Sequence, residues 1–544
     1  MHQRHIRRHE RLTGLRGGAA LGVLAAAVYL WTAPGRVQFP DDEIVLQTAV
    51  SLYDDGDLTI TGIAKRAGEP VGRPTGTFGW DVGRDGQRYG FFGHGLSLVA
   101  LPLVALAEAT VDVVPHEWPH AVRSDHYVLH RRNHRDDWLR LVVGLINCFV
   151  TGAAVWLLAV WVRALGFAER TALVTGAAYA FATTAWAYSR TMLSEPLSGL
   201  CLVAAGLCVT RGQAARGDGW LWLAGAIVGF SLHVHVLNLV FVPCIAGLVV
   251  VGRGSRRGKI GAAALLAVGV AALMIGQWWR FGDPLETGRF GYYSHFVAPW
   301  EGLAAQVIAP GRSFFLYAPA VLLGVFGWAA LRRRAPAVCW FAAAAILLRW
   351  AAISTRSDWF GGWGLGARHL VPVIPLAMLA FAATAQDVLP HWRRIWRGAW
   401  WTGLMVGAGL SGYLAVHSIF EWMWRLLFEL GDDYMAASHW SIGGSPIVGF
   451  AGLKVDMLSA GAVTLARLGH PGLLVLFVGV AVVGLVGLVV VVRARRSFVL
   501  GDAGRGAASA GDGAPMAVGP ARRPGPPIAH ARRLCGLVGD RRDK

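Results

Sequence analysis

Charge is scarce in this chain of 544 residues: 15% are Asp, Glu, Lys or Arg, and the acids number only 33 against 51 basic residues. With 55% hydrophobic residues and a mean hydropathy of +0.46, so thin a charged complement excludes an ordinary soluble domain. Cysteine is too sparse and too scattered to staple a small fold. Of the six, Cys148, Cys201, Cys208, Cys244 and Cys339 fall inside apolar runs and Cys535 lies in the tail, so neither a disulfide framework nor a redox compartment is legible. No phosphate loop occurs, which leaves nucleotide binding unsupported. A convincing internal repeat is also missing, and conspicuous charges avoid the middle of the apolar runs, which disfavours a transporter.

What is present is a succession of apolar runs, where a helix needs about 20 residues to cross a bilayer. Continuous runs exclude the alternating pattern of a barrel, so the chain reads as an all-α polytopic membrane protein with about 12 transmembrane helices. Spans are expected at about 17–33, 139–162, 171–188, 195–211, 219–233, 236–252, 260–279, 313–331, 336–353, 370–386, 399–418 and 471–492. The first is read as uncleaved, because no small-residue cleavage site follows it. The net charge of +18 suggests nucleic acid at first glance, but the Lys and Arg concentrate in short loops between spans, as the positive-inside rule expects of cytoplasmic loops. No nucleic acid partner is expected.

This organisation gives a basic cytoplasmic N-terminus (1–16), a transmembrane domain (17–496) and a disordered cytoplasmic tail (497–544), the chain lying in the inner (plasma) membrane with both termini cytoplasmic. Outer segments at 34–138, 280–312 and 419–470 hold most of the polar residues. The run from Gly95, GLSLVALPLVALAEATVDVV, is assigned to the outer interface, since a crossing there would invert the later loops. The long run from Leu221 to Val251 is read as two short helices meeting near His233 and His235.

Within 39–57, FPDDEIVLQTAVSLYDDGD, apolar residues recur at helical spacing and predict a short amphipathic helix ending near Gly56, with Gln47, Thr48 and Ser51 on its other face. Asp41 suits its N-cap, and Asp42 and Glu43 suit its first turn, where negative charge complements the helix dipole. Capping alone explains one or two of these acids. Acids at a membrane face also tend to mark functional sites.

The segment with "DE, apolar-periodic helix, Asp-Gly-Asp" after a first span resembles the first outer loop of class C glycosyltransferases (GT-C), which include protein mannosyltransferases and aminoarabinose transferases. DGQRYGFFGHGLSLVALP, AWAYSRTMLSEPL, QWWRFGDPLETG, APGRSFFLYAP and WFGGWGLGARHLVPVIP resemble later motifs in the same order, covering about residues 17–390. The resemblance implies a GT-C-like first outer loop carrying interfacial helices. It also implies a hexosyl- or pentosyltransferase that moves a sugar from a polyprenyl-phosphate carrier to a glycan, lipid or protein acceptor at the outer face. In such enzymes the first-loop aspartate is the catalytic base, which maps onto Asp42 of the Asp42–Glu43 pair. The extra acid Asp41 departs from the pattern and leaves the choice between 41 and 42 open.

A sugar phosphate carries its own leaving group, so one carboxylate suffices to deprotonate the acceptor, and attack opposite the phosphate inverts the anomeric centre. Phosphate calls for Arg. Arg368, with His369 beside it, heads the candidates, followed by Arg312 and by Arg289 and Arg356; each taken alone also reads as an arginine snorkelling to lipid headgroups. Glu195 and Arg190, between two spans, are candidates for positioning the acceptor or a metal. No cofactor is required by these residues, and a divalent cation stays open. His94 and the His-rich stretch from His116 to His134 lack metal-site spacing. Trp359, Trp363, Tyr292, Tyr293, Trp300, Trp422 and Trp424 either stack on sugar or isoprenoid or form the interfacial aromatic belt, and Gly361, Gly362, Gly364 and Gly366 either let backbone approach phosphate or make a flexible turn. Besides the transferase, a flippase of lipid-linked glycans and a non-catalytic assembly protein remain as readings.

Overall fold

In this computed structural model the backbone is described for residues 2–60, 79–120, 133–215, 217–288 and 295–508. Apolar stretches free of turn residues become helices, and their ends follow local chemistry. The principal ones are α1 (His2–Thr32), α2 (Pro40–Asp54), α3 (Gly95–Thr110), α4 (His134–Val143), α5 (Ile146–Ala164), α6 (Glu169–Phe181), α7 (Glu195–Ala215), α8 (Asp218–Val234), α9 (Phe241–Val251), α10 (Arg256–Phe281), α11 (Pro336–Ser354), α12 (Ile374–Ala383), α13 (Arg394–Ala415), α14 (Ile419–Leu430) and α15 (Gly472–Ala508). The Ser255 hydroxyl accepts from Gly258 N to start α10, and Gly282, at φ +85°, ends it. Residues 1–495 form one compact unit and 496–544 a second; of the second, the backbone is helical to Ala508 and the remainder lies outside the described residues.

Among the described residues, six helical stretches are long and apolar enough to cross a membrane: His134–Ala164, Glu195–Ala214, Arg256–Phe281, Pro336–Ser354, Arg368–His391 and Gly472–Val491. Arg394–Ala415 and Ile419–Trp440, bent by 70°, form a seventh if counted as one broken span. Other expected crossings are made of shorter pieces. The segment at 313–331 breaks at Pro319 and again at the 3-10 turn Val325–Gly327, and the long run after Leu221 breaks at His235 into α8, a 3-10 turn and α9.

Helix pairs approach most closely where both lack side chains. A Cβ on Gly225 would lie 2.1 Å from Ala262 O, and one on Gly269 would lie 2.3 Å from Gly229 Cα, so α8 and α10 meet along a glycine seam. The segment between α2 and α3 contains the one sheet among the described residues, an antiparallel pair, β1 (Trp80–Val82) and β2 (Arg88–Gly90), in register Asp81↔Tyr89. It was not legible from periodicity because each strand is only three residues long. The hairpin is tied to the end of α10: Arg84 N donates to Arg280 O at 2.8 Å, and Arg280 Nη1 donates to Gly90 O at 3.2 Å.

Candidate active site

Helix α2 begins two residues earlier than expected. Phe39 is the N-cap and Pro40, whose missing N–H costs nothing there, occupies the first turn, so Asp41 is not a cap but stands in that turn with Asp42 and Glu43. The polar face is buried too: Gln47, Thr48 and Ser51 are all less than 8% exposed. Successive helix residues project about 100° apart, so three adjacent acids must face three different surroundings.

Asp41 faces Arg368, its Oδ2 lying 2.7 Å from Nη2. Asp42 is fully buried; its Oδ2 accepts weakly from Gln38 N at 3.4 Å, and its Oδ1 has no partner among the described residues. Burial, reinforced by the neighbouring Asp41 charge and opposed by backbone hydrogen bonds and Arg368, pushes the Asp42 carboxyl up to about 8. Glu43 turns away to a two-point ion pair with Arg140 of α4, at 3.0 Å to Nε and 2.9 Å to Nη2. That contact fastens α2 to α4.

Arg368 has two carboxylates. Its Nε donates to Glu195 Oε1 at 2.8 Å, Glu195 being the first residue of α7, and its Nη1 donates to Gly361 O at 3.3 Å. The turn before it requires glycine. Gly361, Gly362 and Gly366 have φ of +74°, +62° and +59°, and a Cβ on Gly364 would come within 2.8 Å of Arg368 Cδ. His369 sits 3.7 Å from Glu195 Oε1, with neither ring nitrogen hydrogen-bonded among the described residues.

The structure therefore brings Asp41, Glu195 and His369 together around Arg368, with Asp42 beside Asp41. Arg312 is buried against the same turn, donating to Gly362 O at 3.1 Å and to Gly364 O, so its guanidinium braces the backbone. Arg190 is likewise committed to carbonyls, of Thr32 at 2.5 Å, of His417 at 3.4 Å and of Asp456. Arg289, Tyr292 and Tyr293 lie outside the described residues, as does most of the His-rich stretch. Arg356 pairs with Asp358 at 2.7 Å. Trp363 packs at 4.6 Å from Phe420 and bonds Tyr434 Oη at 3.1 Å, forming part of an aromatic cluster with Trp424.

Two features escaped the sequence. Arg349, inside α11 and 0% exposed, donates through Nε to His369 O at 3.0 Å and through Nη1 to Asn238 Oδ1 at 3.3 Å. A charge within an apolar run is itself the signal, one at odds with the expectation that charges avoid mid-run positions. The second is a cleft lined by His94, Ser194, His235, Gln277, Arg280 and Arg356. Arg280 is 4% exposed and meets Gln277 Oε1 at 2.7 Å, but no carboxylate pairs with it among the described residues. His94 Nε2 lies 3.1 Å from His233 Nδ1, and burial, Arg280 and His233 together push His94 down to about 3, leaving it neutral. Ser194 adjoins Glu195, and the His235 and His369 rings are 6.4 Å apart, so the cleft abuts the carboxylate cluster.

No protein-family model and no curated protein matches the chain. Solved structures that resemble it include two of one protein. The crystal structure of ArnT from Cupriavidus metallidurans bound to undecaprenyl phosphate is 16% identical, covering 83% of this chain and 77% of that one at a TM-score of 0.43. The apo structure of that protein is 12% identical, covering 82% and 78% at 0.45. Among the described residues, no group of three His, Cys, Asp or Glu side chains is arranged to hold a metal ion.

Proposed function

We propose that this protein is a GT-C-type membrane glycosyltransferase that moves a sugar from a polyprenyl-phosphate carrier to an acceptor hydroxyl with inversion. The observation that carries this reading is the abutment of two opposite environments: a carboxyl cluster with one fully buried acid that no cation pairs directly, and a cleft holding a guanidinium that no carboxylate pairs among the described residues. A burial-raised carboxyl suits a general base, because a proton acceptor works best when its affinity lies near the operating pH. Asp42 takes that role. Asp41, committed to Arg368, holds the local field and the position of α2. The choice left open by the sequence thus falls to Asp42 on the pattern of partners.

Arg280, with His235 and neutral His94 beside it, is the better phosphate group, since Arg368 already satisfies two carboxylates and Arg312 two carbonyls. An anion in the cleft would relieve an uncompensated buried charge and allow His94 to accept a proton. Glu195 and His369 line the boundary and orient the acceptor. The chain is read as twelve crossings with both termini cytoplasmic and the site opening to the outer face, the transmembrane domain covering 17–496. A flippase is less well supported, because the ionisable cluster gathers where helix ends meet. Mass spectrometry of envelope glycans from cells with and without the gene tests the reading: loss of one sugar substituent, restored by the wild-type chain and not by Asp42→Asn, supports it, whereas identical glycans overturn it.

A further inference from the structure

Two glycines press the start of α3 against the end of α8. A Cβ on Gly93 would lie 2.2 Å from His233 O, and one on Gly95 would lie 2.8 Å from Val234 N, so the approach needs glycine on both sides of His94. It sets the His94 and His233 rings edge to face, their centroids 5.0 Å apart, with His94 Nε2 3.1 Å from His233 Nδ1. On its other side His233 Nε2 lies 3.1 Å from Gly269 O of α10.

A carbonyl oxygen only accepts, so the proton in that last contact sits on His233 Nε2. With His233 neutral, its Nδ1 accepts, and the proton between the rings belongs to His94 Nε2. His94 Nδ1 is then a bare lone pair, buried and without a hydrogen-bond partner among the described residues. Arg280, in the same cleft, offers donors: its Nε, Nη1 and Nη2 bond Gly276 O, Gly90 O and Gln277 Oε1, and each terminal nitrogen keeps a second N–H. The cleft's other charged or titratable groups are His235, whose Nδ1 accepts from Leu237 N, and Arg356, which is paired with Asp358. Glu195 follows Ser194, and Glu286 caps the turn at Thr287. A lone pair beside a guanidinium suits an oxyanion that also carries a proton. A phosphate monoester is such a group; a diester is not.

We propose that the His94–His233 pair discriminates by phosphate charge, taking up one proton with a phosphate monoester, the spent carrier, and none with the diester that bears the sugar. The inference rests on the proposed lipid-phosphate donor and adds how its loaded and spent forms are told apart. In the transfer, the bond from the anomeric carbon to the phosphate oxygen breaks and its electron pair stays on that oxygen. The acceptor oxygen forms the new bond, and its proton goes to Asp42. The phosphate thereby passes from one negative charge to two, because a monoester's second proton leaves near pH 6. Arg280 matches the first charge. A proton taken from solvent onto His94 Nδ1, and donated to a phosphate oxygen, matches the second. His94 is the binding group, and His233 is the positioning residue that fixes its tautomer. Raising the pH therefore releases the spent carrier and leaves the loaded one bound.

The test compares binding of polyprenyl phosphate and of its methyl ester, a diester with the same chain, to the full-length protein in lipid nanodiscs between pH 7 and 9. Both the wild type and Asp42→Asn are measured, because Asp42 titrates in that range and would act on the two esters alike. Uptake of one proton on binding makes affinity fall about tenfold per pH unit. That slope is expected for the monoester, against a change within about twofold across the whole range for the diester in Asp42→Asn. An equal pH dependence of the two esters overturns the inference, as does a flat monoester. His94→Gln, polar but without a titrating ring, should bring the monoester to the diester's flat profile; an unchanged slope in that variant puts the proton on another group and overturns the assignment. If the wild type binds neither ester better than the uncharged polyprenol, the donor reading itself falls. That outcome is distinct from two esters that bind with one common pH dependence.

Discussion

Arg368 holds Glu195 through its Nε at 2.8 Å, across 173 residues of chain. The same guanidinium holds Asp41 through Nη2 at 2.7 Å, so one cation stitches α2, the head of α7 and the glycine turn into a single unit. Breaking a buried ion pair from one side leaves uncompensated charge, at about 3–5 kcal/mol. Arg368→Ala should therefore lower the thermal unfolding temperature in detergent sharply, and Asp41→Asn in the same chain should recover part of the loss. A full double-mutant cycle with additive effects would count against the coupling.

Asp42→Asn should fold normally and lower sugar transfer by about 10²- to 10⁴-fold, the usual worth of a general base. With its carboxyl pushed up to about 8, the wild type should gain activity as pH rises through that value, since the base must be deprotonated. A pH–rate profile flat from 6 to 9 would remove Asp42 from the role.

Stability has the opposite sign. The folded state keeps the Asp42 proton to about pH 8, whereas the unfolded chain releases it near the ordinary value of 3.8. Between these values the folded state binds more protons, so stability falls as pH rises across the window. Asp42→Asn should flatten that slope in thermal unfolding curves recorded at several pH values.

Glu43 stands beside the proposed base yet should behave as a structural residue. Glu43→Gln breaks the two-point pair with Arg140 and should destabilise the protein by about 3–5 kcal/mol without moving the pH–rate limb assigned to Asp42. A shift of that limb would make Glu43 part of the acid–base chemistry.

Arg280→Ala should weaken polyprenyl-phosphate binding by roughly one to two orders of magnitude, as expected when a charge-assisted contact is lost. In the wild type, binding should draw a proton onto His94, because the anion offsets the Arg280 charge that helps hold the ring neutral. Titration calorimetry in buffers of different ionisation enthalpy reads that uptake directly, and His94→Gln should abolish it.

The helices were legible because long apolar runs leave so plain a mark, and Asp41, Asp42, Glu195 and Arg368 were legible as candidates for the same reason, each standing where an apolar run begins. Partnerships were not. Glu43 and Arg140 are 97 residues apart, and nothing local says that Glu43 turns toward α4 while Asp41 turns toward Arg368. Arg312 and Arg190 carried the composition of phosphate ligands, but their targets are backbone carbonyls, which no side-chain pattern records. The His94–Arg280 cleft joins segments 186 residues apart through a hairpin too short to announce itself.

The glycine seam between α8 and α10 fixes more than a packing distance. Helix α10 has 26 residues, about 39 Å of length, and its apolar part, about 260–279, matches the roughly 30 Å of a bilayer's hydrocarbon core. Its last turn delivers Arg280, and a slip of one residue along the seam would carry that guanidinium about 1.5 Å away from His94. On the proposed function, transfer rates should peak at one lipid chain length and decline in vesicles of shorter or longer acyl chains.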